Sequence, residues 1–137
     1  SVLLFAAGGL IGVAIRASDV TIPAHYHGAI VGVTLAFMGL AYHLLPRLGY
    51  ARPQARLATL QAWLYGAGQL AHVSGLVWSG GYGVQRKVAG AAQVLRGAEQ
   101  VAAMGLMGIG GLAAVAGGLL FIVVVLRSIW TSSTSRS

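Results

Sequence analysis

Two histidines separated by one tyrosine, His25 and His27, are the residues of this chain best suited to chemistry. They stand near the start of a long apolar stretch, 22–46, whose length fits a helix across a lipid bilayer. Each residue of an α-helix is rotated by about 100°, so the two rings point roughly 200° apart and are offset by about 3 Å along the axis. They cannot bind one ion together, but each can hold a separate metal on its own flank. Both lie near the helix N-terminus, whose positive dipole end favours neutral imidazole, the form that coordinates metals.

The same pair has a simpler interpretation, in which both rings are polar side chains that face the lipid headgroups. A His-x-His motif alone does not separate the two. The chain contains no cysteine, so a disulfide or a thiolate metal site is excluded and metal binding depends on His, Tyr or carboxylate side chains.

Composition places the chain among membrane proteins. Hydrophobic residues make up 57% of it and only Asp19 and Glu99 are acidic, and the mean hydropathy is +0.79. The formal net charge of +7 would fit a nucleic-acid-binding protein, but the basic residues are scattered between apolar spans rather than gathered on one face. We therefore expect the lipid bilayer as a partner, and no nucleic acid.

The spacing of apolar runs and charges predicts an all-α membrane protein with about four transmembrane helices that form part of a larger helical bundle. The predicted segments are a truncated transmembrane helix (1–16), a transmembrane helix with both histidines (22–46), two further transmembrane helices (57–78 and 101–127), an outer basic loop (79–100) and a polar tail (128–137). The first segment is interpreted as the end of a spanning helix whose beginning is missing. A signal peptide is the alternative, but no basic region precedes the apolar run.

Basic residues orient these spans. Five lie on the side of the loop between the second and third spans and of the tail: Arg47, Arg52, Arg56, Arg127 and Arg136. Four lie on the opposite side: Arg16, Arg86, Lys87 and Arg96. The positive-inside rule favours the first side as cytoplasmic. Anionic ligand groups would explain the basic residues on the outer side.

Three motifs in a fixed order resemble the C-terminal part of the catalytic subunit of haem–copper oxidases, helices nine to twelve. They are AHYHGAIVGVTLAFMGLAYHLLPRLGY, then QLAHVSGL in the third span, then GYGVQRKV in the loop that follows. That family has a His-aromatic-His sequence at the start of its tenth helix, a Gln-His pair late in its eleventh and paired basic residues in the next outer loop. The likeness covers nearly all of the chain.

The resemblance assigns roles to five residues. It implies that His25 is the axial ligand of a high-spin haem and that His27 is one ligand of a low-spin haem, which agrees with the opposite directions of the two rings. Arg86 and Lys87 would pair with haem propionates. His72 would be a second-shell or hydrogen-bonding residue.

Three further residues receive weaker roles. The resemblance implies an outer-side metal contact for Asp19, although the His that many relatives carry just before this Asp is missing here. Tyr26 takes the place of the family's aromatic residue and is expected to pack. His43 lies about 27 Å along the helix from the first histidine and is expected at the membrane interface.

The resemblance implies an oxidoreductase of the respiratory chain, a cytochrome c or quinol oxidase in a bacterial or archaeal plasma membrane. Electrons would pass from cytochrome c or quinol, through an electron-donor-binding subunit, to two haems for the reduction of dioxygen to water, coupled to proton translocation. The family's copper ligands lie on earlier helices, so this chain would act only with the remaining part of the catalytic subunit. The alternatives are a nitric oxide reductase of the same superfamily, a non-catalytic electron-transfer haem subunit and a metal-free helix bundle.

Overall fold

Four α-helices make up the computed structural model of this protein, which describes residues 1–16, 18–85, 87–88 and 97–134, without the side chains of 133 and 134. The helices are α1 (Val2–Ala14), α2 (Thr21–Arg47), α3 (Ala55–Gly81) and α4 (Ala98–Thr134). Within these ranges there is no strand, and extended pairing is limited to one isolated bridge between Asp19 and Gln85. The prediction of an all-α chain is confirmed.

Two of the helices are long and apolar enough to cross a membrane, α2 over Thr21–Arg47 and α4 over Ala98–Ser132. Helix α1 is apolar but has only 13 residues, or about 20 Å, which is less than a hydrocarbon core of about 30 Å. Helix α3 has 27 residues, but Gln61, Gln69 and His72 interrupt its apolar sequence. Two helices thus have the length and composition of a membrane span, and the four predicted spans stay a prediction.

The ends of α4 differ from the prediction. The helix begins at Ala98, inside the segment predicted as outer loop, and continues through most of the segment predicted as polar tail. Ser128 donates its hydroxyl to the Val124 carbonyl at 3.1 Å, and Thr131 donates to the Arg127 carbonyl at 2.9 Å. Hydroxyl groups that bond to carbonyls four residues back are satisfied within the helix. A segment rich in serine and threonine can therefore remain helical.

A fixed turn follows α2. Pro46 lies in its last turn, and Gly49 then adopts a φ of 86°, the left-handed conformation that favours glycine. The Tyr50 amide donates to the Leu45 carbonyl at 3.0 Å, which closes the helix end. The Ala51 amide donates to the Ser128 carbonyl at 3.2 Å, so this loop is held against α4.

Glycines allow neighbouring helices to approach closely. A Cβ atom on Gly28 of α2 would lie 2.7 Å from the Gly8 Cα of α1. A Cβ on Gly68 of α3 would lie 2.6 Å from the Ala114 amide nitrogen of α4. Neither position has room for a side chain, so backbone packs on backbone, as is common between membrane helices.

The buried apolar cluster lies where α2 begins and α3 ends. Its members are Val20, Ala24, Val73, Leu76 and Val84, with Ile11, Met104 and Met107 packed against them. The Val20 amide donates to the Val84 carbonyl at 3.1 Å and thereby joins the connection before α2 to the one after α3. We call this the histidine end of the bundle. The opposite end, which carries Arg47, Arg52, Arg56 and Arg127, is the arginine end.

Candidate functional site

His25 is held by the helix that precedes its own. Its Nδ1 donates a hydrogen bond to the Gly8 carbonyl of α1 at 2.7 Å. A carbonyl can only accept, so Nδ1 carries the proton and the neutral ring keeps its lone pair on Nε2. A Cβ on Gly12 would lie 2.6 Å from the same Nδ1, so a glycine is required there for the ring to sit against α1. Metal-binding histidines are commonly oriented by such a backbone contact.

His27 lies on the opposite flank of α2, facing α3. The centroid of its ring is 4.9 Å from that of His72, with the ring planes at 66°, an edge-to-face contact. The Tyr26 ring lies 5.0 Å from it on another side. The structure thus directs His25 toward α1 and His27 toward α3, as the helical spacing predicts.

His72 links α2 to α4. Its Nδ1 donates to the Met107 carbonyl at 2.9 Å, so the lone pair of the neutral ring again lies on Nε2. A Cβ on Gly111 would come within 3.1 Å of the same nitrogen. His72 thus contacts both α2 and α4, and its expected role beside a haem stays a prediction.

His25 and His27 differ in how well their surroundings would fit a haem. His25 fits an axial ligand, because its orientation is fixed and its Nε2 carries a lone pair. His27 and His72 are in ring contact, which leaves no space for an iron and a porphyrin plane between them. His27 could therefore meet a haem only through a ring nitrogen that is turned away from His72.

Lys87 lies at the histidine end, as the predicted propionate contact requires. It adopts a φ of 63°, a left-handed conformation that costs a residue other than glycine about 1 kcal/mol. With Tyr26 and Met107 among other residues, it lines a cavity of about 330 Å³ between the starts of α2 and α4. An exposed ammonium beside this cavity is suited to meet an anionic group. Arg86, the other predicted propionate contact, lies outside the described residues.

Asp19 and His43 make no part of a multi-residue metal site. The Asp19 carboxylate accepts a hydrogen bond from the amide of Thr21, the first residue of α2, at 2.8 Å and so satisfies one of the amides that have no acceptor within the helix. Throughout the part of the chain that is described, no three His, Asp or Glu residues are grouped so that they could hold a metal ion. His43 is exposed at the arginine end, and its expected position at a membrane interface stays a prediction.

A row of polar side chains lies between α2 and α3 and was not part of the predicted site. We call it the polar seam. Gln61 is wholly buried, accepts from the Tyr42 hydroxyl at 3.1 Å and donates to Met38 Sδ at 3.3 Å. Farther along the same contact, the ring of His27 meets the ring of His72, which completes the seam. The signal was present in the sequence, because Gln61, Tyr65, Gln69 and His72 recur every three or four residues and so share one helix face.

A relative is known from Rickettsia prowazekii (strain Madrid E), an uncharacterized protein that is 39% identical over 135 residues. The alignment covers 90% of this chain but only 26% of the relative, so the chain spans about a quarter of the length of the curated protein it matches. No protein-family profile matches the chain. No solved structure matches it either.

Proposed function

We propose that this chain is the haem-binding C-terminal part of the catalytic subunit of a respiratory haem–copper oxidase. The observation that carries the proposal is the divergence of His25 and His27, each directed to a different neighbouring helix. The length of the Rickettsia relative supports it, because a protein about four times as long has room for the copper ligands and the second low-spin ligand. Dioxygen as substrate, cytochrome c or quinol as donor and proton translocation belong to the same proposal.

His25 would hold the high-spin haem through Nε2. Its hydrogen bond to Gly8 fixes the ring and raises the electron density that Nε2 can donate. The missing side chain at Gly12 leaves room for the ring against α1, where the bond to Gly8 would hold it in the orientation of a ligand. A bound haem supplies an iron that exchanges electrons and, where one axial position is open, binds a diatomic ligand.

His27 would hold the low-spin haem on the other flank of α2. Its ring is braced by Tyr26 and by His72, which is itself anchored to α4. The two ligand residues are two positions apart on one helix, so the helix fixes their separation to about 3 Å along its axis. Lys87 would neutralise a propionate at the same end, since an ammonium there is exposed to an incoming anionic group.

Optical spectroscopy of the full-length protein in membranes tests the proposal. We expect His25→Ala to abolish the spectral shift produced by carbon monoxide while the low-spin signal remains. His27→Ala should remove the low-spin signal while the carbon monoxide shift remains. His43→Ala is the matched control, because it removes an exposed histidine from the same helix at the other end and should change neither signal.

Other results point elsewhere. A low-spin spectrum without any carbon monoxide shift in the unmodified protein would indicate an electron-transfer haem subunit, since no iron would then have an open position. Non-haem iron in place of copper on metal analysis would indicate a nitric oxide reductase. Absence of any Soret band in the full-length protein would reject haem binding.

A further inference from the structure

The arginine end is a strongly charged surface without a matching acid. Four arginines lie there: Arg47, Arg52, Arg56 and Arg127. Both acidic residues of the sequence lie at the histidine end, Asp19 just before α2 and Glu99 in the first turn of α4. No side-chain carboxylate of this chain is therefore placed to neutralise the arginines. Their charge favours an anion from outside the chain.

Two clefts at this end share one arginine. The larger, of about 640 Å³, is lined by Arg47 and Arg52 together with Tyr42 and His43. It is a groove open at the surface rather than an enclosed pocket. A smaller cleft of about 160 Å³ lies between Arg52 and Arg127. Arg52 thus lies between two further guanidinium groups that face the same end.

The loop that carries Arg52 is fixed before any ligand arrives. The left-handed Gly49 turns the chain, and the Ala51 amide is hydrogen bonded to the Ser128 carbonyl of α4. Pro53 follows Arg52 directly and restricts the backbone further. A ligand that binds here does not have to order the loop, which removes one cost of binding.

Apolar side chains beside the clefts distinguish a lipid from a soluble anion. Leu48 follows Arg47 and is 68% exposed, and Trp130 lies three residues after Arg127 and is 75% exposed. Tryptophan is enriched where a membrane helix meets the headgroup layer. Guanidinium groups at that depth meet lipid phosphates and can bond them through two parallel N–H donors. These apolar neighbours are suited to contact acyl chains, whereas a free phosphate ion would gain nothing from them.

We propose that the arginine end binds the headgroup of an anionic phospholipid, with its phosphodiester between Arg47 and Arg52 and its acyl chains against the exposed side chains of Leu48 and Trp130. Basic pockets at the cytoplasmic ends of membrane helices are suited to such lipids. The inference does not depend on haem binding, because it rests on residues at the opposite end of the bundle.

Native mass spectrometry of the purified protein in detergent, titrated with phosphatidylglycerol or phosphatidylcholine, tests this. We expect the unmodified protein to prefer phosphatidylglycerol. The double variant R47Q/R52Q should lose roughly thirtyfold in affinity for it, from about fivefold for each arginine. The charge-matched control R16Q/R56Q, whose arginines are exposed and line neither cleft, should stay within about twofold of the unmodified protein.

Three results would overturn the proposal. Equal losses in both double variants would show that only the net charge matters. Equal affinity for phosphatidylcholine would exclude recognition of an anionic headgroup. Displacement of the lipid by an equal concentration of inorganic phosphate would identify a soluble anion as the ligand. Circular dichroism checks that each variant stays helical, and R52Q alone replaces the double variant if that one does not fold.

Discussion

Helix α3 packs against α4 and against α2 through two different kinds of contact. Toward α4 it presents glycines, and backbone meets backbone at Gly68 and Gly75. Toward α2 it presents polar side chains, and Gln61 is bonded across the contact. Lipid tails are as apolar as leucine, so apolar burial does little to bring membrane helices together, and close packing and hydrogen bonds have to do so. The comparison shows that one helix can use each means on a different face.

His72 belongs to both contacts. Its Nδ1 is bonded to α4, and its ring lies against His27 of α2. The glycine contact sets the distance of α4, because Gly110 has no room for a Cβ beside the backbone of α3. The position of the His72 ring therefore depends on the glycine contact with α4 and on the polar contact with α2. The support that this ring gives to His27 depends on the same two contacts.

The largest expected effect is on the glycine contact. Gly68→Ala would place a Cβ 2.6 Å from a backbone nitrogen of α4, so we expect it to lower the free energy of unfolding in detergent by about 1–3 kcal/mol. Gly108→Ala is the control, since a Cβ there meets nothing within 4 Å and should leave stability unchanged or raise it by up to about 1 kcal/mol. Equal stabilities of the two variants would show that the α3–α4 contact can relax.

A smaller effect is expected on the polar contact. Gln61→Leu leaves the Tyr42 hydroxyl without its partner and should lower the free energy of unfolding by about 1 kcal/mol. A double-mutant cycle with Tyr42→Phe isolates the bond itself, for which we expect a coupling of about 0.6 kcal/mol, the average for hydrogen bonds between membrane helices. A coupling indistinguishable from zero would mean that the bond between Gln61 and Tyr42 orients these side chains without stabilising the fold.

The smallest effect, with the opposite sign, is expected at the other glutamine of α3. The Gln69 Oε1 atom is buried and makes no hydrogen bond within the described structure. Gln69→Leu removes this unpaired acceptor and should leave the free energy of unfolding unchanged or raise it by up to about 1 kcal/mol. The same substitution at Gln61 is the matched comparison. A clear loss of stability in Gln69→Leu would show that this oxygen has a partner in the membrane-bound protein.

Much of the fold could be predicted from the sequence, because membrane helices are marked by long apolar runs between charges. The segment 22–46 agrees with α2 to within one residue at each end, and the segment 57–78 lies wholly within α3. The end of α4 could not be predicted in this way, since Ser128 and Thr131 are polar by type but satisfied by local hydrogen bonds. Polarity alone does not tell whether a hydroxyl needs water.

The spacing of His25 and His27 is enough to make them point apart, because residues two positions apart on an α-helix differ by about 200° wherever the helix is placed. What each ring contacts depends on how the helices pack. The Gly8 carbonyl, the His72 ring and the lysine at position 87 come from segments far apart along the chain, and their approach depends on the glycine contacts and on the pairing of Val20 with Val84. Helical periodicity is local and can be read from spacing, whereas packing depends on every neighbouring helix at once.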